Sequence, residues 1–106
     1  MNIAACIDHT VLKPDTTLQE IQQLCREARQ YHFAAVCVPP PFVQIARGLL
    51  SGSDISTATV IGFPFGYSAV EAKMAEIILA IVDDADELDV VANILAIKNN
   101  DWPYIE

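Results

Sequence analysis

The stretch Ala34-Ala35-Val36-Cys37-Val38-Pro39-Pro40-Pro41 decides the fold class of this chain. Its first five residues are all apolar, which is typical of a parallel strand that is covered on both faces. The prolines end the strand, because proline has no amide to donate to a sheet ladder. The last of them can begin a helix, where the missing amide costs nothing. The segment therefore predicts a buried β-strand followed directly by an α-helix.

The same succession of strand and helix occurs four times along the 106 residues. Four successive units of this kind predict an α/β fold with a parallel sheet and right-handed crossovers. A chain of this length is expected to form one domain, here residues 1–106. The predicted strands are Ala4–Thr10, Ala34–Val38, Thr57–Phe63 and Glu87–Val91.

Two predicted helices begin with a capping box, a pattern in which a hydroxyl and an acid satisfy free amides of the first turn. One box is Thr17 with Glu20, and the other is Ser68 with Glu71. Each helix also has apolar residues at helical spacing, which predicts one face turned to the core. These residues are Leu18, Ile21, Leu24, Cys25 and Ala28 in the first helix, and Val70, Met74, Ile77, Ile78 and Ile81 in the second.

Composition excludes several classes of function. The net charge of −8 argues against nucleic acid and anionic membranes as partners, and 53% hydrophobic residues argue against disorder. Three widely spaced cysteines, without a CxxC pair or a His/Cys cluster, support neither a disulfide framework nor a zinc site, and we expect reduced thiols in the cytoplasm. We also expect no signal peptide and no membrane span.

Candidate site residues follow the carboxyl ends of the predicted strands, where parallel α/β folds place their active sites. Asp89 lies within the apolar run Leu88–Val91, where an ionised carboxylate is costly unless it is paired or used. It could equally lie at a strand end that faces water. Asp8 and Asp89 could share one cavity and serve acid–base chemistry. The full set is Asp8, Thr10, Cys37, Gly62, Phe63, Asp89 and Asn93.

Each candidate also has a structural interpretation. Asp8 could cap the following loop, and Cys37 could be an inert buried thiol. His9 and His32 are expected to be structural or solvent-facing. The acidic turn at residues 83–86 is expected to be solvated, and Gly62 and Gly66 to serve a turn.

Four motifs together resemble the deoxyribose-phosphate aldolase family, and they cover essentially the whole chain in order. They are Ile7–Pro14, Ala35–Val38 with Pro40, Thr59–Gly66 with Glu71 and Lys73, and Ala85–Val91 with Asn93, Ala96 and Lys98. The resemblance implies a (β/α)8 barrel and a class I aldolase without a cofactor. Such an enzyme cleaves 2-deoxy-D-ribose 5-phosphate reversibly to acetaldehyde and D-glyceraldehyde 3-phosphate through a Schiff base.

The resemblance also implies roles for individual residues. Asp89 would assist proton transfer around the Schiff base, and Asp8 would belong to the supporting polar network. Cys37 and Thr10 would line the substrate pocket. The chain departs from the family pattern at three positions: Pro39 replaces the usual asparagine, Tyr67 a small residue, and Leu95 a glycine.

A complete barrel takes roughly 250 residues and eight strands, so the resemblance covers only its N-terminal half. The family's Schiff-base lysine belongs to a later strand. Lys13 and Lys98 are predicted in loops and Lys73 in a helix. None of the three matches the family's Schiff-base lysine. We therefore expect no activity from this half alone, and association into a dimer through its open sheet edges. Two alternatives are a flavodoxin-like binding module and a half barrel without a catalytic role.

Overall fold

A computed structural model gives the structure of the chain and describes residues 2–106. Strands and helices alternate, with two short 3₁₀ helices at Ile3–Cys6 and Pro40–Phe42. The strands are β1 (Asp8–Thr10), β2 (Ala35–Val38), β3 (Ser56–Ile61) and β4 (Glu87–Val90). The helices are α1 (Leu18–Tyr31), α2 (Val43–Leu49), α3 (Val70–Val82), α4 (Ile94–Lys98) and the single turn α5 (Trp102–Ile105).

The four strands form one parallel sheet in the order β1-β2-β3-β4. This confirms the predicted parallel α/β fold. Every strand neighbours the next one in the chain, so the sheet always advances in the same direction, as in a (β/α)8 barrel. A flavodoxin-like sheet has the order 2-1-3-4-5. The flavodoxin-like alternative is therefore wrong.

The main core lies between α1, α2 and one face of the sheet. The prediction for α1 is confirmed at four of its five apolar positions, but Leu18 in the first turn is exposed. The prolines after β2 end the strand and lead through a 3₁₀ turn into α2, close to the prediction. The buried residues of this core are Ile21, Leu24, Cys25, Ala28, Val36, Val38, Val43, Ala46, Leu50 and Ile55.

The first strand is shorter than predicted. Residues Ile3–Cys6 form a 3₁₀ helix, and only Asp8–Thr10 pairs with β2. The Ile7 amide donates to the Ala4 carbonyl, which ends this helix. The Ile7 carbonyl then accepts a hydrogen bond from the Ala34 amide at 2.9 Å. Pairing with β2 therefore begins only at the end of the predicted strand.

Helix α3 does not bury the face that its sequence pattern suggests. Val70, Met74, Ile78 and Ile81 are all more than half exposed, and Ala80 is the one buried residue of the helix. Apolar residues occur almost all round α3, so their periodicity does not single out a face. The predicted core stripe is therefore wrong, apart from the half-buried Ile77.

Only the first predicted box caps its helix, and it does so through the threonine hydroxyl. The Thr17 hydroxyl accepts from the Glu20 amide at 3.2 Å, while the Glu20 carboxylate accepts from Lys13 Nζ at 2.9 Å. In α3 the N-cap is Ala69, which makes no side-chain cap. The Ser68 hydroxyl is buried and has no hydrogen-bond partner within residues 2–106. The second predicted box is wrong because the helix begins one residue later than the serine requires.

Candidate active site

The register of the sheet gathers the candidate residues on the face that α1 and α2 do not cover, called here the open face. Thr10 lies opposite Cys37, Cys37 opposite Ala58, and Val60 opposite Asp89. Because strand side chains alternate, residues two apart share a face. The open face consists of Asp8, Thr10, Ala35, Cys37, Ser56, Ala58, Val60, Glu87 and Asp89.

Asp89 is exposed, and β4 is not the buried strand that the run Leu88–Val91 predicts. Within the run, Leu88 is half-buried and Val90 is 56% exposed. β4 is the last strand of an open sheet, so neither a further strand nor a facing half covers it. Water can therefore solvate the Asp89 carboxylate in this chain.

Cys37 lies beside Asp89, and its thiol is neutral. Its Sγ is 4.0 Å from Asp89 Oδ2, within reach of a weak S–H···O hydrogen bond. Burial first, and then the charges of Asp89 and Asp8, together raise the pKa of Cys37 to about 11. A thiolate is the nucleophilic form of cysteine. Cys37 can therefore line a pocket and donate a weak hydrogen bond there, but it is not an activated nucleophile.

Asp8 and Thr10 lie at the opposite edge of the open face. The Thr10 hydroxyl donates to the Asp8 backbone carbonyl at 3.0 Å. The Asp8 carboxylate accepts no hydrogen bond from any of residues 2–106, so the predicted capping alternative is not formed. Asp8 is instead exposed towards the space in front of the sheet.

Glu87 is a third acid on the open face that was not among the candidates. Its pKa is raised by partial burial, and next by the charges of Asp8 and Asp89. The signal was present in the sequence, since Glu87 precedes Asp89 by two residues and shares its face. The open face therefore carries three carboxylates and no basic side chain.

The loop after β3 forms the rim of the open face beside β4. Gly62 and Gly66 have φ angles of +70° and +71°, and a Cβ on Gly66 would overlap the Ala92 backbone. These glycines serve the turn, as predicted. Phe65 and Tyr67 are stacked at 5.4 Å between ring centroids, and both are exposed.

Two side chains of α3 form hydrogen bonds to the backbone at the rim. Lys73 Nζ donates to the Val91 carbonyl at 2.9 Å, and Glu76 Oε1 accepts from the Gly62 amide at 3.2 Å. These bonds join α3 to the chain just after β3 and just after β4. Lys73 lies in a helix as predicted, and its amine is engaged with the backbone.

Asn93 and the two histidines have structural roles. Asn93 caps α4, because its side-chain oxygen accepts from the amides of Leu95 and Ala96. His9 lies on the helix side of the sheet, 3.0 Å from Glu27, and His32 ends α1 with a φ of 57°. Both histidines agree with their structural interpretation.

Two charged residues lie elsewhere than predicted. Asp86 is not simply solvated, since its carboxylate accepts from the Thr57 amide at 2.8 Å and from Arg47 at 3.1 Å. Lys98 lies in α4, which the sequence did not predict, because Asn93 caps a helix directly after β4. Phe63 is a half-exposed residue of the rim.

A family profile described as DeoC/LacD family aldolase matches residues 2–104. The chain belongs to this family of aldolases. Deoxyribose-phosphate aldolases from Brevibacillus brevis and from a Thermoanaerobacter species are 50% and 46% identical to it over all 106 residues. Those residues make up 48% of each of the two relatives. The chain therefore spans about half the length of the curated relatives it matches.

Solved structures agree with this assignment. A structure from Coccidioides immitis superposes with a TM-score of 0.94 at 36% identity, over 98% of this chain and 41% of that one. The tetrameric deoxyribose phosphate aldolase of Aeropyrum pernix gives 0.81 at 29% identity, over 96% and 48%. These relatives are TIM-barrel aldolases, so the four strands correspond to about half of such a barrel.

Within residues 2–106, no helix is both long enough and apolar enough to cross a bilayer. Over the same residues, no three side chains of His, Cys, Asp or Glu are grouped in a way that could hold a metal ion.

Proposed function

We propose that residues 1–106 are one domain, the N-terminal half of a deoxyribose-phosphate aldolase that cleaves 2-deoxy-D-ribose 5-phosphate to acetaldehyde and D-glyceraldehyde 3-phosphate. The observation that carries the proposal is the open face, on which Asp8, Cys37 and Asp89 lie on three different strands and Cys37 contacts Asp89. This arrangement lies within a chain that belongs to an aldolase family over residues 2–104.

In the completed enzyme, Asp89 moves protons around the Schiff base and Asp8 supports it as a second polar group. Cys37 and Thr10 line the pocket. The geometry favours these roles because a carboxylate is an effective proton carrier only within reach of the substrate, and all four residues share the open face. No cofactor is needed, since the carbonyl is activated by a lysine amine.

The half chain alone is expected to be inactive, because none of its lysines is a suitable nucleophile. An amine nucleophile needs a lowered pKa. The pKa of Lys13 is instead raised, first by its hydrogen bond to Glu20. Lys73 donates to the Val91 carbonyl, and Lys98 is exposed on α4.

Borohydride trapping tests this expectation. The 106-residue chain is incubated with acetaldehyde or deoxyribose phosphate, reduced, and analysed by peptide mass spectrometry. We expect no stoichiometric adduct on Lys13, Lys73 or Lys98. A single lysine that is fully modified at low aldehyde concentration would overturn the proposal for the isolated half.

Completion of the barrel tests the positive claim. The chain is fused to the second half of the Brevibacillus brevis relative, which is 50% identical over the matched part. We expect cleavage of deoxyribose phosphate, and a kcat lower by at least about 100-fold in the Asp89→Asn variant. Asp54→Asn, in the loop before β3, is the matched control and leaves kcat unchanged. A folded but inactive fusion, or an unaffected Asp89→Asn variant, would contradict the proposal.

The proposed function also predicts the partners. We expect a phosphorylated sugar or aldehyde as substrate, and a second copy bound through the open edges of β1 and β4. We expect neither nucleic acid nor membrane as a partner. The net charge of −8 and the unpaired outer edges of both strands support this. Three unpaired cysteines support a cytoplasmic location. Association through edges should disappear in the fusion, where both edges are paired, and light scattering compares the two proteins.

A further inference from the structure

Two charged side chains of α3 bind backbone groups instead of forming ion pairs. Lys73 Nζ donates to the Val91 carbonyl at 2.9 Å, and Glu76 Oε1 accepts from the Gly62 amide at 3.2 Å. Within residues 2–106 neither of them takes part in an ion pair. The chain has 14 acidic residues against six basic ones, so a lysine has many carboxylates available to it. A lysine that binds a carbonyl in this setting points to a role in holding the backbone.

The Val91 carbonyl lies where the hydrogen-bond ladder between β3 and β4 ends. The Val91 amide still donates to the Ile61 carbonyl at 2.9 Å. In a continuing parallel ladder, the Val91 carbonyl would accept the next amide of β3. The chain leaves the strand conformation at Gly62, where φ is +70°. Lys73 therefore supplies the donor that β3 no longer provides.

Gly62 leaves room for the lysine to reach this carbonyl. A Cβ on Gly62 would lie 2.8 Å from Lys73 Cε and 3.4 Å from Lys73 Cγ. The aliphatic part of Lys73 thus passes directly over Gly62, and the side chain is half-buried. The contact between Lys73 and β4 is therefore built into the turn that follows β3.

The carbonyl that Lys73 binds is two residues beyond Asp89. Within residues 2–106, the side-chain hydrogen bond of the Asp89 carboxylate is the weak one from the Cys37 thiol at 4.0 Å. The backbone of β4 therefore sets the position of Asp89. In a parallel strand the amide and carbonyl of one residue point to the same neighbour, so both groups of Val91 point towards β3. A strand paired with the other edge of β4 would not replace the bond from Lys73.

We propose that Lys73 is a positioning residue, whose bond to the Val91 carbonyl holds the carboxyl end of β4 so that Asp89 stays within reach of the reacting group. This inference deepens the function proposed above and rests on it. Proton transfer requires the two groups to be within hydrogen-bond distance. A displacement of about 1 Å can lower a rate about 100-fold. In this role Lys73 acts through Asp89 and need not contact the substrate.

The reactivity of Cys37 in the 106-residue chain tests the position of Asp89 without any need for catalysis. Burial, and next the charge of Asp89, raise the pKa of Cys37, so the thiol reports whether Asp89 stays beside it. We expect Lys73→Met to increase the iodoacetamide reaction rate of Cys37 at pH 8 at least about threefold. Loss of a cation alone would act in the opposite direction, because a positive charge favours the thiolate.

A double-mutant cycle separates positioning from general loosening of the fold. In an Asp89→Asn background, Lys73→Met should have no further effect on the Cys37 rate, because the charge it displaces is already gone. Lys73→Arg keeps a donor for the carbonyl and should react like wild type. Lys98→Met, on the exposed side of α4, is the matched control for loss of a lysine and should leave the rate unchanged. Urea unfolding establishes that each variant is folded.

The barrel fusion provides the catalytic measurement. We expect Lys73→Met to lower kcat by about 10- to 100-fold and to leave KM within about twofold, because geometry at the reacting group is lost while substrate binding is retained. Lys73→Arg should restore most of kcat, and Lys98→Met should leave both constants unchanged. Lys73→Met should also cost much less in the Asp89→Asn background than in wild type.

The outcomes distinguish this proposal from the proposed function. A Cys37 rate that is equal in wild type and Lys73→Met, or that rises equally in both backgrounds, would overturn the positioning role. A fusion in which Lys73→Met keeps the wild-type kcat would overturn it as well. A folded fusion that is inactive with Lys73 in place would contradict the proposed function, and the Cys37 rates would still decide whether Lys73 positions Asp89.

Discussion

Cys37 and Asp89 are 52 positions apart in the chain, yet Cys37 Sγ lies 4.0 Å from Asp89 Oδ2 on the open face. The contact crosses β3, whose residues Ala58 and Val60 complete the same face. A buried thiol next to a carboxylate is a poor acid, which has a direct chemical consequence.

We expect Cys37 to react slowly with iodoacetamide in the folded protein. Its pKa of about 11, against an ordinary value of 9.0, makes the thiolate roughly 100-fold less populated at pH 8. Mass spectrometry of the alkylated peptides gives the rate, and the same cysteine in urea-unfolded protein is the control. A folded-state rate within tenfold of the unfolded rate would refute the expectation.

Glu87→Gln is expected to stabilise the protein at pH 7 by about 0.5 kcal/mol, the scale of an exposed charge interaction. The pKa of Glu87 is raised, first by burial and then by Asp8 and Asp89. A raised pKa contributes stability below the unfolded value, which is lost as pH rises through the folded value. The gain should therefore shrink as the pH is lowered to 4.

Urea unfolding of wild type and Glu87→Gln at both pH values measures this difference. Glu71→Gln, in the exposed first turn of α3, is the control and should leave stability unchanged or slightly lower. A destabilised Glu87→Gln variant at pH 7 would mean that the carboxylate is paired rather than repelled.

Gly66→Ala should destabilise the fold by at least about 2 kcal/mol. Gly66 has a φ of +71°, and an added Cβ would overlap the Ala92 backbone after β4. Gly48→Ala is the matched control, since an added Cβ there has free space within α2 and should stabilise by roughly 0.5–1 kcal/mol. Chemical denaturation gives both values, and similar effects at the two positions would be inconsistent with this loop geometry.

Thr17→Ala and Ser68→Ala should differ, although both residues begin the same sequence motif. Thr17 accepts a hydrogen bond from the Glu20 amide, so its loss should cost about 1 kcal/mol. Ser68 caps nothing and its buried hydroxyl lacks a partner, so its loss should be neutral or stabilising. Equal destabilisation in thermal or urea unfolding would show that Ser68 caps α3 after all.

Asp86→Ala should cost about 1–3 kcal/mol, because it leaves the amide of Thr57 without its acceptor. Arg47→Ala removes only the exposed ion pair with the same carboxylate and should cost less than about 1 kcal/mol. Urea unfolding of both variants compares the two contributions. A larger loss for Arg47→Ala would mean that the ion pair, rather than the amide bond, holds the turn before β4.

Much of the fold was predictable because the deciding patterns are local. The apolar run at β2 and the prolines after it define a strand and the helix that follows. In α1 a polar side and an apolar side are clearly separated, so its buried face followed from spacing alone, except at Leu18. In α3 the apolar residues surround the helix, and spacing could not choose a side.

In the candidate site, too, local patterns were predictable and burial was not. Strand alternation was sufficient to predict that Asp8 shares a face with Thr10, and Asp89 with Glu87. Glu87 was nevertheless not included among the candidate site residues. The solvation of Asp89 could not be predicted from its apolar neighbours, because it depends on what lies in front of the sheet.

By itself, the sequence determined the order of the four strands and of helices α1 to α3, and the residues that share a strand face, since these depend on neighbours within a few positions. Only the tertiary structure decided that Asp89 faces water, that Lys73 and Glu76 bond to the backbone after β4 and after β3, and that the apolar residues Ile78 and Val82 are exposed. The physical reason is that burial and hydrogen bonding here join residues 14 to 52 positions apart, and only folding brings those residues together.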